Sequence, residues 1–411
     1  MDDMFKKAVS SERGALIVLS TLMFFFSAQV SLTIYVDSSF LKDAIMGTPS
    51  LSKMEIFEHP ENIVGGIYML ASMFTILALY LAPRVLRLIG NYRATLLAFV
   101  AHIVMLLLLS ATESGWFIIP LFVIEAALMS LLFFNFDIFL ESFSKDEHTG
   151  VVRGVFLTVG SISWLLPPMI AGNIVENYGY SLVYFSAATI LVPVIILLVA
   201  YMRNFKDLAY DDAPLLPSHS DVSKNPDVWY GLMCAFFLQF FYAWMIIYAP
   251  IFLHDHLGFA WSEIGFMLTL ALTPFVLLPS PLGWLADNVM GEKELLVLGF
   301  LLMAVTSFLI PHLGVGSSAF MVWVTVLFVG RSGAATVESM AETYFFKQID
   351  GRNAGLMGYF RRMRPMAFIV AALLASVLFQ FHWFSFEMLF SILGMIMLFA
   401  LYFPLRLKDT K

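Results

Sequence analysis

Long apolar stretches recur from one end of the chain to the other, separated by short polar segments. Each stretch approaches the about 20 apolar residues that an α-helix needs to cross the hydrocarbon core of a bilayer. We therefore predict twelve membrane-spanning helices, at residues 15–36, 63–82, 94–112, 117–140, 152–175, 181–202, 229–253, 263–285, 294–311, 317–341, 353–378 and 385–404. The fifth and eleventh are the least distinct, because their starts contain Gly, Arg and Pro.

The composition agrees with this pattern. Of the 411 residues 60% are hydrophobic and only 13% are charged, and the mean hydropathy is +0.85. Soluble domains carry about 25% charged residues, so lipid is the expected solvent. The first apolar run is too long for the core of a signal peptide, and further spans follow it. The predicted fold class is an all-α polytopic membrane protein.

The basic residues predict the orientation in the membrane. With a cytoplasmic N-terminus, all of the 23 Lys and Arg except Lys42, Lys53 and Arg331 fall on the cytoplasmic side or in the inner ends of spans. Cytoplasmic loops carry an excess of Lys and Arg in multi-pass proteins. We therefore expect a protein of the cytoplasmic (inner) cell membrane with both termini inside. The net charge of −7 says little about partners.

A central polar segment divides the spans into two sets of six. The segment 203–228 contains several Pro, Ser and Asp residues, which is typical of a linker. The predicted organisation is a cytoplasmic N-terminus at 1–14, a six-helix half at 15–202, the linker at 203–228, a six-helix half at 229–404 and a cytoplasmic tail at 405–411.

An internal repeat supports two pseudo-symmetric halves. An offset of 201 residues relates Asp137 to Glu338 and Glu141 to Glu342, and the same offset relates two glycine pairs just beyond them. Acids within spans are rare, so the paired acids are hard to attribute to chance. Parallel six-span repeats are a known transporter design, with the substrate site at their interface.

Several motifs resemble the major facilitator superfamily over nearly the whole chain. The segment PLGWLADNVMGEK (281–293) resembles the family's G-x-L-x-D-x-x-G-[RK] loop, with Asp287 as its acid and the basic residue displaced to Lys293. The equivalent segment 81–93 is degenerate and has Leu86 in place of the acid. Arg153-Gly154 after Glu141, and the segment 246–268, also resemble family patterns.

The resemblance implies that spans one, four, seven and ten line a central cavity and that the halves rock to alternate access. It also implies a cytoplasmic gate, formed by charged residues near the inner membrane face: Glu141, Arg153, Asp287, Glu342 and Arg352. Opposite charges there would meet when the gate closes. The alternative is that water satisfies these charges at the helix ends.

Polar side chains in the spans predict the substrate cavity. Gln29, Thr33 and Asp37 recur every four residues and therefore share one face of the first span, although Asp37 lies at its outer end, where solvation is the alternative. Gln239 and Tyr242 share one face of the seventh span, with Trp244 nearby. Arg331 lies near the middle of the tenth span, where an Arg needs a partner. It is either an anchor for an anionic solute or a structural partner of Glu125 in the fourth span.

Other charged groups predict coupling and anion contacts. Asp137 and Glu338 each lie four residues before a second acid on the same helical face, which suits proton coupling but equally suits a gate. Arg361, Arg362 and Arg364 are either embedded anion contacts or cytoplasmic charges, depending on where the eleventh span begins.

Several chemistries lack support in the sequence. The single Cys234 excludes an internal disulfide, and no nucleotide-binding loop, metal spacing or catalytic constellation is present. We predict no enzyme, cofactor or metal, and no nucleic-acid partner. The expected function is secondary active transport of a small organic solute, possibly anionic and proton-linked, as a monomer in the lipid bilayer. The alternatives are drug or metabolite efflux, and a non-transporting sensor or assembly factor of the same fold.

Overall fold

A computed structural model describes most of the chain. The described residues are 12–52, 60–143, 156, 158–203, 205, 226–313, 320–348, 354–381 and 384–408. The predicted gate residues Arg153 and Arg352 lie outside these ranges, as does nearly all of the predicted linker. Glu141 and Arg361 lie in described helices, but their side chains are outside the description.

All regular elements in the described ranges are helices. The longest are Glu12–Thr33, Pro60–Ile89, Asn91–Ala111, Gly115–Phe143, Pro226–Ile247, Glu292–Leu309, Phe320–Gln348 and Ala354–Phe379. Shorter α-helices are Asp37–Met46, Pro49–Ser52, Pro167–Tyr178, Tyr180–Ile190, Val192–Tyr201, Ala249–Ile251, Trp261–Leu272, Pro274–Leu277, Pro279–Asn288, Met388–Ala400 and Tyr402–Arg406. A π-helical turn spans Phe252–His256 and a 3₁₀ turn Ile310–His312.

Within the described ranges, twelve helical segments are long and apolar enough to cross a membrane, as predicted. The least distinct predicted spans, the fifth and the eleventh, correspond to Thr158–Tyr178 and Arg362–Phe379. The eleventh belongs to one helix, Ala354–Phe379, that runs through Pro365. The cluster Arg361 to Arg364 therefore lies inside a continuous helix rather than in a preceding loop.

Three segments differ locally from the sequence prediction. The first span ends at Thr33, and a second helix begins at Asp37 and continues to Met46. The segment predicted as the loop after span eight is largely helical, because the helix Pro279–Asn288 includes most of it. His254 and His256 fall between the predicted seventh and eighth spans, where a loop was expected, and they lie in the π-helical turn. Periodicity alone cannot separate such short helical turns from loops.

The chain divides into two compact units. The first comprises Met1–Phe57 and Leu70–Asp212, and the second Glu58–Met69 and Ala213–Lys411. The second unit thus includes the beginning of the helix Pro60–Ile89. There an added Cβ at Gly65 would collide with the Tyr248 hydroxyl, so the absence of a side chain at Gly65 permits this close approach.

The ninth and tenth spans cross with almost no space between their backbones. An added Cβ at Gly333 would lie 2.7 Å from the carbonyl oxygen of Gly299 and 2.9 Å from Leu302 Cβ. An added Cβ at Gly299 would lie 2.6 Å from Val337 Cγ2. Small residues at such crossings let membrane helices pack by van der Waals contact, since lipid provides no hydrophobic driving force between them. This crossing holds the tenth span, and with it Arg331, in place.

The end of the described chain packs onto the start of the seventh span. Asp227, 4% exposed, accepts a hydrogen bond from the backbone N–H of Lys408 at 3.2 Å, and the Lys408 Nζ lies 3.5 Å from its other oxygen. The hydroxyl of Tyr344 donates to the Lys408 carbonyl at 3.3 Å. Leu407 beside them is 2% exposed. The predicted tail therefore begins as an ordered part of the second unit.

Candidate functional site

In the second unit, three predicted site residues form one polar cluster. The guanidinium of Arg331 lies over the ring of Tyr242, with its central carbon 5.5 Å from the ring centroid. The hydroxyl of the same ring donates a hydrogen bond of 2.7 Å to Glu338 Oε2. Arg331 is 3% exposed, whereas Glu338 is exposed. Tyr242 thus joins a buried cation to an accessible carboxylate.

The eleventh span adds a second guanidinium to this cluster. Arg364 and Arg331 both interact electrostatically with the Glu338 carboxylate. The Arg364 guanidinium also lies over the Phe368 ring one turn later, at 5.7 Å from the centroid. Arg362 is half-buried in the same helix. Spans seven, ten and eleven therefore bring two guanidinium groups, one carboxylate and one phenol together, and we call these four residues the arginine cluster: Tyr242, Arg331, Glu338 and Arg364.

The other two predicted cavity residues of the seventh span have different surroundings. Gln239 is half-buried. Trp244 is fully buried, and its Nε1 donates a hydrogen bond of 2.8 Å to the carbonyl of Ala371 in the eleventh span. An indole with this packing stabilises the contact between two helices and leaves no surface for a solute. The hydropathy pattern could not reveal which face of the helix carried each residue.

In the first unit, a second polar cluster is enclosed by the helices. Gln29 and His102 are both 0% exposed, and Glu125 is 5% exposed. His102 Nε2 lies 3.0 Å from Gln29 Oε1 and 3.7 Å from Glu125 Oε1. The Phe26 ring packs edge-on against the imidazole, with centroids 6.3 Å apart. Glu125, for which we considered Arg331 as a partner, thus has His102 beside it.

Asp37 extends this cluster towards the predicted outer side. Its carboxylate accepts a hydrogen bond of 2.7 Å from the Tyr184 hydroxyl and lies close enough to Glu125 for electrostatic repulsion. Burial raises the pKa of the Asp37 carboxyl from 3.8 to about 7, while the hydrogen bond from Tyr184 opposes that rise. We call these five residues the histidine cluster: Gln29, Asp37, His102, Glu125 and Tyr184. Thr33 is buried one turn from Gln29, and its hydroxyl faces the carbonyl of Val30 at 3.4 Å.

Two members of the histidine cluster escaped the sequence prediction. His102 stands alone in the apolar third span, and Tyr184 in the apolar sixth span. The rule that polar groups within spans need a partner applies to His102 as it does to the acids, so the signal was present. Tyr184 gave no comparable signal, because a Tyr is common near membrane interfaces.

The remaining predicted acids lie on the fourth and tenth spans. Asp137 and Glu342 are both half-buried and both engaged in interactions within the structure. Their proposed roles in coupling and in the gate stay predictions. Among the described residues, no group of three or more His, Cys, Asp or Glu could hold a metal ion.

Asp287, predicted for the gate, belongs to a cluster centred on Lys347. The Lys347 ammonium lies 3.5 Å from Asp287 Oδ1 and donates a hydrogen bond of 2.5 Å to Glu292 Oε1. The Glu292 side chain is 1% exposed, whereas that of Asp287 is 68% exposed. The hydrogen bond to Glu292 is the main reason that the pKa of Lys347 is raised. The family-like acid therefore has a basic neighbour within its own unit.

Replacing Lys347 with Gln should destabilise the protein by about 1–2 kcal/mol. The loss of one partner of a fully buried ion pair costs about 3–5 kcal/mol. The expected value is smaller because the Lys347 side chain is 47% exposed, and solvent screens such pairs. Thermal unfolding in detergent would measure the effect. Asp287→Asn is the control and should lose less stability, because the Asp287 side chain is mostly exposed to water. Equal losses of stability in the two variants would contradict this account.

The part of the chain that the structure describes contains twelve apolar helices in two units, each with a polar cluster among its spans, which is an architecture typical of polytopic transporters. A model of the family described as Major Facilitator Superfamily matches residues 66–364 and 250–411. Because these matches cover most of the sequence, the chain belongs to the Major Facilitator Superfamily, and it is a transporter rather than an enzyme. This confirms the resemblance seen in its motifs.

One solved structure of this fold is a mutant of the nucleoside transporter NupG. It superposes with a TM-score of 0.70 over 96% of this chain and 99% of that chain, at 10% sequence identity. At this identity the likeness concerns the fold alone. No curated protein matches the chain.

Proposed function

We propose that this transporter moves a small organic solute with an anionic group across the cytoplasmic membrane by alternating access. The observation that carries the proposal is the buried Arg331, which is stacked on Tyr242, whose hydroxyl is bound to Glu338. A charge at this depth of a span is costly and is most often functional. We therefore assign Arg331 the role of an anchor for the anionic group of the solute.

The chemistry of the arginine cluster favours an anion. A guanidinium presents a planar set of donors that matches carboxylate or phosphate oxygens in pairs. The cluster contains two guanidinium groups and one carboxylate, so it has an excess of positive charge. Stacking on Tyr242 would keep Arg331 oriented while no solute is bound. The exposed Glu338 adds an acceptor that would suit the amino group of a zwitterion. A purely cationic drug would instead meet Arg331 and Arg364, so the cluster disfavours the efflux of cationic amphiphiles.

Proton linkage is the second part of the proposal. Glu338 is hydrogen-bonded to Tyr242, which stacks on the proposed solute anchor Arg331. Protonation of Glu338 would therefore alter the net charge beside a bound solute. Asp137 is its counterpart at the 201-residue offset in the first unit. The distribution of Lys and Arg favours cytoplasmic termini, and in that orientation the histidine and arginine clusters would take up protons from the outer side in one state and release them to the cytoplasm in the other.

Paired solutes that differ only in an anionic group would test the substrate class. Purified protein would be screened by thermal shift with a nucleoside against its 5′-monophosphate, a sugar against its phosphate, and a carboxylic acid against its amide. We expect the anionic member of one pair to stabilise the protein, since a ligand that binds the folded state raises its unfolding temperature. Stabilisation by neutral members alone would overturn the proposed role of Arg331.

Uptake into proteoliposomes would then test transport and coupling. The stabilising solute should accumulate when a pH gradient is imposed, and Glu338→Gln or Asp137→Asn should abolish the dependence on that gradient. Gradient-driven uptake that is unchanged in both variants would exclude these two carboxyls as the coupling groups. Solute that binds without crossing the membrane would argue for a sensor of the same fold.

A further inference from the structure

The histidine cluster has features that structural packing does not explain. Among the described residues, neither Gln29 Nε2 nor His102 Nδ1 has a hydrogen-bond partner, although both atoms are fully buried. Buried polar atoms in folded proteins are nearly always satisfied, because an unpaired one costs about 1–3 kcal/mol. An amide and an imidazole that leave donors and acceptors unused form an incomplete network. Such a network has unused hydrogen-bonding capacity, which a change in protonation or a small rotation could use.

The geometry defines which atoms carry hydrogen. The amide oxygen of Gln29 can only accept, so the hydrogen bond of 3.0 Å requires that His102 Nε2 carries the hydrogen. The same Nε2–H lies 3.7 Å from Glu125 Oε1. A small rotation would therefore transfer this donor from the Gln29 amide to the Glu125 carboxyl. His102 Nε2–H is therefore one donor that can serve either neighbour.

Charge balance decides what this cluster can hold. Among the described residues, the titratable groups that contacts link to His102 include Glu125 from the fourth span, Asp37 from the short helix after the first span, and Tyr184 from the sixth span, which reaches Asp37. The first span faces the imidazole with the uncharged Gln29 and Phe26. Two carboxylates enclosed this close together would repel each other at low dielectric if both were ionised. A bound proton is the simplest way to neutralise them.

We propose that Glu125 and His102 form a proton-binding site in the first unit, separate from the arginine cluster of the second unit. Glu125 carries one proton while the helices enclose it and releases that proton to water when the first unit opens. His102 Nε2–H then leaves Gln29 and hydrogen-bonds the carboxylate that remains. Asp37, joined to Tyr184, lies on the predicted outer side of this pair, as the next acceptor. This inference extends the proposed proton linkage, on which its role in transport rests, to residues that the sequence repeat does not contain.

Infrared spectroscopy of the purified protein would test the site without knowledge of the solute. A protonated carboxyl has a C=O stretching band that carboxylates lack, and this band shifts when the proton is exchanged for deuterium. At pH 7 the wild type should show such a band, and Glu125→Gln should lose it. The matched control is Glu113→Gln, which changes an exposed residue of the same unit and should leave the band intact. His102→Gln should keep the band but shift its frequency, because the neighbouring donor has changed.

Each outcome bears on the inference. A spectrum unchanged by Glu125→Gln would overturn it, because Glu125 would then be ionised. If Glu125→Gln does not fold, Glu125→Asp is the substitute variant and should shift the frequency of the protonated-carboxyl band. An unshifted band would contradict the assignment of the proton to Glu125. Gradient-driven uptake without a Glu125 band would refute this site and leave the proposed function standing. A Glu125 band in a protein that transports no solute would support the proton-binding site and refute the proposed transport function.

Discussion

Replacing Arg331 with Gln should reduce the apparent affinity for the anionic solute by about 30-fold or more. Truncating one partner of a buried, hydrogen-bonded charge pair costs about 2–5 kcal/mol, and 2 kcal/mol corresponds to about 30-fold. The Arg331→Lys variant should have an affinity between those of the wild type and Arg331→Gln. An ammonium keeps the positive charge but cannot bind two oxygens in one plane. Concentration-dependent uptake into proteoliposomes would measure all three proteins.

Arg84 provides a matched control for this substitution. Its guanidinium also lies over a tyrosine ring, that of Tyr80, at 5.4 Å from the centroid, but Arg84 is exposed in the second span. Arg84→Gln removes the same chemical group from a similar stacking partner and should leave uptake unchanged. The role of Arg331 would be refuted if both substitutions reduced uptake equally, or if Arg331→Gln impaired the neutral member of a solute pair as strongly as the anionic one.

Adding a side chain at Gly333 should produce the largest loss of stability. The alanine methyl would lie 2.7 Å from the Gly299 carbonyl oxygen, and a backbone atom cannot move aside as a flexible side chain can. Overpacking of this kind costs about 1–3 kcal/mol, and more for a larger residue. We therefore expect Gly333→Ala to lower the unfolding temperature in detergent and Gly333→Leu to prevent recovery of folded protein.

The control for this prediction is another glycine within a membrane helix. Gly66 has no atom within 4 Å of an added Cβ, so Gly66→Ala meets open space. Alanine favours the helix by about 1 kcal/mol relative to glycine, so this variant should be as stable as the wild type or slightly more so. If Gly333→Ala were equally harmless, the ninth and tenth spans would have room to separate.

The architecture was accessible from the sequence because lipid imposes a simple rule. Every backbone group in the bilayer must be satisfied within the segment, so an apolar run of sufficient length becomes a helix. All twelve spans followed from this rule, including the eleventh with its Arg cluster. The interruptions within the helices could not be predicted from the same rule. The turn between Thr33 and Asp37, for example, interrupts a sequence that remains apolar through Val36.

The composition of the clusters was only partly accessible. Arg331 and Glu338 were identified as costly groups in spans, and the tyrosine that joins them was identified by its spacing from Gln239. Trp244 was assigned to the cavity because it lies near Tyr242 in the chain, and it instead packs between helices, since an indole is apolar enough for either place. Residues that meet across different spans, such as Gln29 and His102, have no spacing in the sequence that reveals their contact.

The contact between Asp227 and Lys408 has a consequence for biosynthesis. The two residues are 181 positions apart, and one begins the seventh span while the other follows the twelfth. The contact cannot form until the ribosome has translated nearly the whole second unit, so the seventh span must reside in the membrane without it for most of that time. A nascent chain that stalls or terminates before Leu407 lacks the backbone N–H and the ammonium group of Lys408 that Asp227 contacts in the complete unit. A reporter domain fused directly after Arg406 would reproduce that incomplete state, whereas one joined beyond Lys408 would preserve the contact.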